Sequence, residues 1–181
     1  MPLIDVDLTD LDSPLQTPRT GTPMPFIQPE RPPREQPRRG VILLVEDDRG
    51  DQLLTQEALQ ESGRAQQVMV VSDGEEALQY LHRSGRYEDP SQAPRPDLIL
   101  LDLNMPKVNG RQVAVRAKSD ATLRGIPIVV LSTSDYPEDV AYCYHIGVNS
   151  YVHKPMDYTE FVRTIGAIER YWLQVAEPAP G

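Results

Sequence analysis

The chain has 181 residues with 39% hydrophobic content, enough for one domain of ordinary size plus an appended segment. A net charge of −9 and a pI of 4.8 set up a field that disfavours non-specific binding to nucleic acid or anionic membrane. No apolar stretch approaches the roughly 18 residues needed to span a bilayer, the start MPLIDVDLTD lacks a signal-peptide pattern, and the lone Cys143 excludes an internal disulfide or a multi-cysteine metal site. A cytoplasmic protein with no membrane or nucleic-acid partner is expected.

Residues 1–40 hold nine of the 18 prolines, five Arg and six acidic residues, whereas the rest carries 13 basic and 21 acidic residues. Proline removes backbone donors and fixes φ, so residues 1–40 are expected to form a disordered or extended arm. The pattern changes at residue 41. VILLV (41–45) reads as a buried parallel strand ending at Glu46-Asp47-Asp48. A helix is predicted over about 50–62, with Gly63 beyond its end. QVMVV (67–71) gives a second strand, Gly74 precedes a helix carrying Ala77, Leu78 and Leu81, and 84–96 reads as a polar loop.

DLILL (97–101) is the third strand, ending at Asp102. NMPKVNG leads to a helix from about Arg111, and IVVL (128–131) is the fourth strand, closed by Ser132-Thr133-Ser134. A helix over 137–146 ends at Gly147. Ser150 to His153 forms a short fifth strand before Lys154-Pro155, and the last helix runs from about Tyr158 to Leu173. The domain is thus expected over 41–175, with a tail at 176–181. Strands alternating with helices predict a parallel sheet covered on both faces, in an α/β doubly wound (βα)5 arrangement. Short crossovers fit the flavodoxin-like strand order 2-1-3-4-5.

The polar residues add chemistry to that topology. Glu46, Asp47, Asp102, Ser132 and Lys154 all follow strands, and the ends of parallel strands share one edge of the sheet. Two carboxylates about 4 Å apart repel by about 4 kcal/mol at an effective dielectric near 20. One must be protonated or a divalent cation must sit between them. Oxygen ligands point to Mg²⁺, with Mn²⁺ as the alternative, rather than zinc. Asp102 can then act as a carboxylate nucleophile toward phosphorus, with Lys154 and Ser132 placed to hold phosphoryl oxygens. Taken singly each residue has a plainer use: Asp48, for instance, can simply cap the first helix.

The segments LLVEDD (43–48), LILLDLNMPKVNG (98–110), IPIVVLSTS (126–134), NSYVHKP (149–155) and FVRTIGAIERYWL (161–173) resemble the receiver domains of bacterial response regulators. The resemblance covers about 40–175. It implies that Asp102 is the phosphoacceptor and that Glu46, Asp47, Asp102 and the carbonyl of Asn104 hold the metal. It further implies that Ser132 is the switch hydroxyl, Tyr151 the switch aromatic and Lys154 the family's lysine, with a cis peptide bond to Pro155.

In finer detail the chain looks like regulators encoded with phytochrome-type histidine kinases. This implies a sensor histidine kinase as donor, a bacteriophytochrome among the candidates. It also implies a homodimer through the last helix and fifth strand, with Phe161, Ile165, Ile168, Tyr171 and Trp172 as an exposed stripe. Asp48 departs from the Asn common in that subgroup. With no room after Leu173 for an output domain, signalling by protein–protein contact is expected. An intermediate relay carrier, a phosphate sink, a non-phosphorylated interaction module and an Asp-nucleophile phosphatase stay open as alternatives. Against the last, the D-x-D pattern of such enzymes meets Asn104 at its second position.

Overall fold

Alternating apolar positions along the strands explain why two helical layers are needed. The computed structural model describes residues 40–62 and 66–177. In β1 (Gly40–Val45), Leu43 and Val45 enter one core while Ile42 and Leu44 enter the other. The same alternation runs through β3 (Leu98–Asp102) and β4 (Ile128–Ser132), whose core residues are almost wholly buried. Each such side chain contributes about 1.5–3 kcal/mol on leaving water. A strand buried on both faces needs helices on both sides.

β2 (Gln66–Val71) and β5 (Ser150–His153) complete a parallel sheet in the order β2-β1-β3-β4-β5, the flavodoxin-like order expected. α1 (Arg49–Glu61) and α5 (Tyr158–Arg170) contribute Ala58, Leu59, Phe161 and Ile165 to one core. α2 (Gly74–Leu81), α3 (Gly110–Ser119) and α4 (Pro137–His145) contribute Leu78, Val113 and Cys143, among others, to the opposite one. Cys143 is fully buried, as its placement on an apolar helix face suggests. The loop after α2 contains a short 3-10 turn, Gly85–Tyr87, whose Tyr87 ring packs edge-on against Tyr80 at 5.1 Å.

Two expectations are corrected. The bond to Pro155 is not cis: no cis peptide bond occurs among the described residues. The Lys154 N–H donates to the Ser132 carbonyl at 2.8 Å, extending the β4–β5 ladder. Its side chain already reaches the sheet edge from there, and trans is the lower-energy isomer by about 0.5–1 kcal/mol. Second, Phe161 and Ile165 are not part of an exposed stripe; they are 3% and 0% exposed. The amphipathic face of α5 turns them onto the sheet, leaving Ile168 and Trp172 half-buried at its flank and Tyr171 exposed. The last helix also changes pitch after Arg170, ending in a π-helical turn, Tyr171–Val175.

No helix among the described residues is long and apolar enough to cross a membrane. The expected arm lies outside the described residues from 1 to 39, as do Gly63 and the last four residues of the expected tail.

Candidate functional site

The acidic pair is placed by the end of β1 and the start of α1. Glu46 is 3% exposed, and its backbone N–H still donates to Val71 at 3.1 Å as a last rung toward β2. Its carbonyl accepts the Gln52 amide at 2.6 Å, and the same amide reaches Ser72 Oγ at 3.2 Å. A polar residue one turn into α1 thus fixes the backbone of Glu46. Asp48 caps α1, accepting the Asp51 N–H at 2.9 Å, so the plainer reading of this residue is borne out.

Asp102 closes β3 opposite Leu131, so Ser132 lies one position further along the neighbouring strand. The chain then turns tightly enough that side chains become obstacles. A Cβ on Gly110 would stand 2.0 Å from the Asp102 carbonyl oxygen, and one on Gly74 2.1 Å from that of Val108. Real atoms cannot approach so closely, which explains glycine at both places. Asn109 begins α3 with a capping box to Gln112, and Asn104 donates its N–H to Asp102 Oδ1 at 3.0 Å. Lys107, at φ 61°, reaches across to Asp73 at 2.6 Å and ties this turn to the start of α2.

Lys154 brings the elements together. Its Nζ lies 2.7 Å from Glu46 Oε2, 2.7 Å from Asp51 Oδ2 and 3.1 Å from Asp102 Oδ2. Burial works against its charge, but hydrogen bonds to Asp51 and Glu46 and the Asp102 carboxylate hold its pKa above the ordinary lysine range. Burial pushes the Glu46 carboxyl up to about 7, against the pull of Lys154.

Ligand oxygens of Glu46, Asp47 and Asp102 lie within 4.8 Å of one another. With the Lys154 ammonium meeting only two of them, these carboxylates still carry surplus negative charge, and an all-oxygen donor set of this size fits Mg²⁺ or Mn²⁺. Such an ion, when bound, neutralises charge on phosphoryl oxygens.

Ser132 and Tyr151 are linked through Ser134. Ser132 is fully buried, and its hydroxyl oxygen accepts the Ser134 N–H at 3.1 Å, which leaves its own proton free to donate. The Tyr151 hydroxyl donates to the Ser134 carbonyl at 2.8 Å. Ser134 Oγ donates to Asp139 at 2.6 Å, and Asp139 in turn pairs with Arg111 at 2.5 Å. The β4–α4 loop is therefore held from both β5 and α3. Sequence reasoning missed Asp51, Gln52, Arg111 and Asp139; a carboxylate one turn beyond the acidic pair was the available signal for Asp51.

A parallel sheet in this order, carrying a carboxylate triad and a buried lysine at one edge, defines a phosphoacceptor domain. The chain belongs to the response regulator receiver domain family, whose pattern matches residues 42–166. Response regulator Rcp1 of Synechocystis sp. is 41% identical over 134 residues, covering 74% of this chain and 89% of that protein. The Mn²⁺-bound crystal structure of Rcp1 matches with a TM-score of 0.72 and 39% identity, over 78% of this chain and 99% of that one. The phosphorylated cyanobacterial phytochrome response regulator RcpA gives a TM-score of 0.74 at 44% identity, with the same coverage of 78% and 99%. The chain is thus a receiver whose acidic site depends on Mg²⁺ or Mn²⁺, with phosphotransfer and autodephosphorylation as its chemistry rather than turnover of a separate substrate.

Proposed function

We propose that Asp102 takes a phosphoryl group from a phosphohistidine of a sensor kinase. A carboxylate oxygen of Asp102 forms the new bond to phosphorus as the phosphorus–nitrogen bond breaks, and the imidazole leaves with the electron pair and takes up a proton. Glu46, Asp47, Asp102 and the Asn104 carbonyl hold the metal. Lys154 and Ser132 hold phosphoryl oxygens, which is most valuable in the transition state, where charge spreads over them. Water later cleaves the acyl phosphate. The observation that carries this reading is the 3.1 Å approach of Lys154 to Asp102 beside the carboxylate triad.

Tyr151 acts as the switch aromatic in this reading. Engagement of the Ser132 hydroxyl by phosphate changes the β4–α4 loop that Tyr151 bonds, and the altered surface is read by another protein in the cytoplasm. The likeness to RcpA, a phytochrome response regulator, supports a phytochrome-type kinase as donor. Ile168 on the flank of α5, Tyr171 and Trp172 in the π turn that follows it, and β5 form the homodimer surface.

Labelling with a phosphorylated histidine kinase tests the central step. Wild type is expected to gain an acyl phosphate and Asp102→Asn none; equal label in both overturns the assignment. Sedimentation of Trp172→Ala checks the dimer: an unchanged association constant removes that surface.

A further inference from the structure

An ammonium group has three N–H donors, and in this protein all three of those on Lys154 meet carboxylates. The three partners are unequal. Side-chain exposure is 3% for Glu46 and 11% for Asp102 but 41% for Asp51. A new oxyanion on Asp102 lies beyond the carboxylate oxygen that Lys154 now meets, so the ammonium must shift outward to reach it and one of its other two contacts must give way. Water can replace the ammonium at Asp51 with little loss, because that oxygen is already near solvent; at Glu46 it cannot. Asp51 is also the one partner that a helix supplies, from the first turn of α1, where the Asp48 side chain accepts its N–H.

We propose that Asp51 is a positioning residue that holds the Lys154 ammonium toward α1 until an oxyanion on Asp102 displaces it. This rests on phosphorylation at Asp102. Asp51 touches no reacting atom and acts through the lysine. It competes with the phosphoryl group for the ammonium, and in the resting protein it draws the ammonium away from the two metal-holding carboxylates. The two effects have opposite signs. Removing the Asp51 charge strengthens binding of a phosphoryl mimic, because its competitor is gone. It weakens binding of Mg²⁺ alone, because the ammonium then rests more fully on Glu46 and Asp102.

Calorimetric titration of the full chain with Mg²⁺ alone, and with Mg²⁺ plus beryllofluoride, tests this in wild type, Asp51→Asn and Asp48→Asn. Asp48→Asn sheds the same charge beside the pocket, keeps a capping side chain and lacks contact with Lys154. Asp51→Asn is expected to bind the mimic about tenfold tighter, the scale of one charge-assisted hydrogen bond, and Mg²⁺ alone several-fold more weakly. Asp48→Asn is expected to move both much less. Equal effects of the two variants would show only a through-space charge effect and overturn the proposal. So would parallel weakening of both ligands in Asp51→Asn, the mark of a merely structural residue, or no change in either. Should Asp51→Asn fail to fold by thermal melting, Asp51→Ser carries the same comparison. Failure of wild type to bind the mimic would instead strike the assignment of Asp102.

Discussion

Tyr151 on β5 and Ser134 in the β4–α4 loop are joined by a 2.8 Å hydrogen bond from the tyrosine hydroxyl to the serine carbonyl. The Ser134 N–H is at the same time bonded to the Ser132 hydroxyl at 3.1 Å. One loop residue therefore connects the Tyr151 ring to the Ser132 hydroxyl. Tyr151→Phe keeps the ring and removes the bond, with an expected cost of about 1 kcal/mol in urea unfolding. The variant's β4–α4 amides should exchange with deuterium faster, whereas those of β1 and β3 should not. Uniform acceleration would mean that the bond has no local role.

Lys154 is the buried counter-charge for Glu46 and Asp102. Lys154→Met leaves those carboxylates facing each other, and without divalent ions the expected loss is about 2–3 kcal/mol, below the value for a fully enclosed pair because Asp51 is near water. Adding Mg²⁺ should raise the melting temperature of the variant more than that of wild type, since the ion supplies the missing positive charge. Equal increments would argue that the lysine does not balance those carboxylates.

Gly110→Ala puts a methyl group into the Asp102 carbonyl, 2.0 Å away. Both sides of the contact are backbone, so relief requires moving β3 or the start of α3. A loss of about 3 kcal/mol in denaturant midpoint measurements is expected, the upper end of ordinary overpacking. A variant within about 0.5 kcal/mol of wild type, the range of neutral surface changes, would show that the turn yields easily.

Lys118 donates to the carbonyls of Arg124 and Ile126 and to Asn149 Oδ1, at 3.1, 2.7 and 2.9 Å. Burial lowers its pKa to about 8 from 10.5. Between those values the unfolded chain binds more protons than the folded one, so stability rises with pH. The gain is complete above 10.5 and is lost as pH falls through 8. The difference in unfolding free energy between wild type and Lys118→Met should therefore change over pH 8–10.5 in favour of wild type; a flat difference would disprove the shift.

The central strands were legible because a two-sided parallel sheet writes itself as unbroken apolar runs, and those of β1, β3 and β4 stop at Glu46, Asp102 and Ser132. Hydrogen bonds across large sequence gaps were not legible: Lys154 and Asp51 are 103 residues apart, and nothing local to either signals the other. Which part of the α5 stripe faces the sheet was not legible for a related reason. Periodicity gave Phe161, Ile165 and Ile168 a common stripe but could not tell a stripe facing the sheet from one facing a partner. Nor does a Lys-Pro pair announce its isomer, since the intrinsic preference is small and the fold decides.

The jammed contact between Gly110 and the Asp102 backbone also has a mechanical result. On that flank the acceptor strand abuts a capped helix with no slack, and Lys107 clamps the turn to α2 from outside. The flank across β4 is fastened instead by side-chain hydrogen bonds that can be exchanged one at a time. A displacement at Asp102 would therefore meet less resistance toward α4 than toward α3, much as a hinge opens away from its fixed leaf.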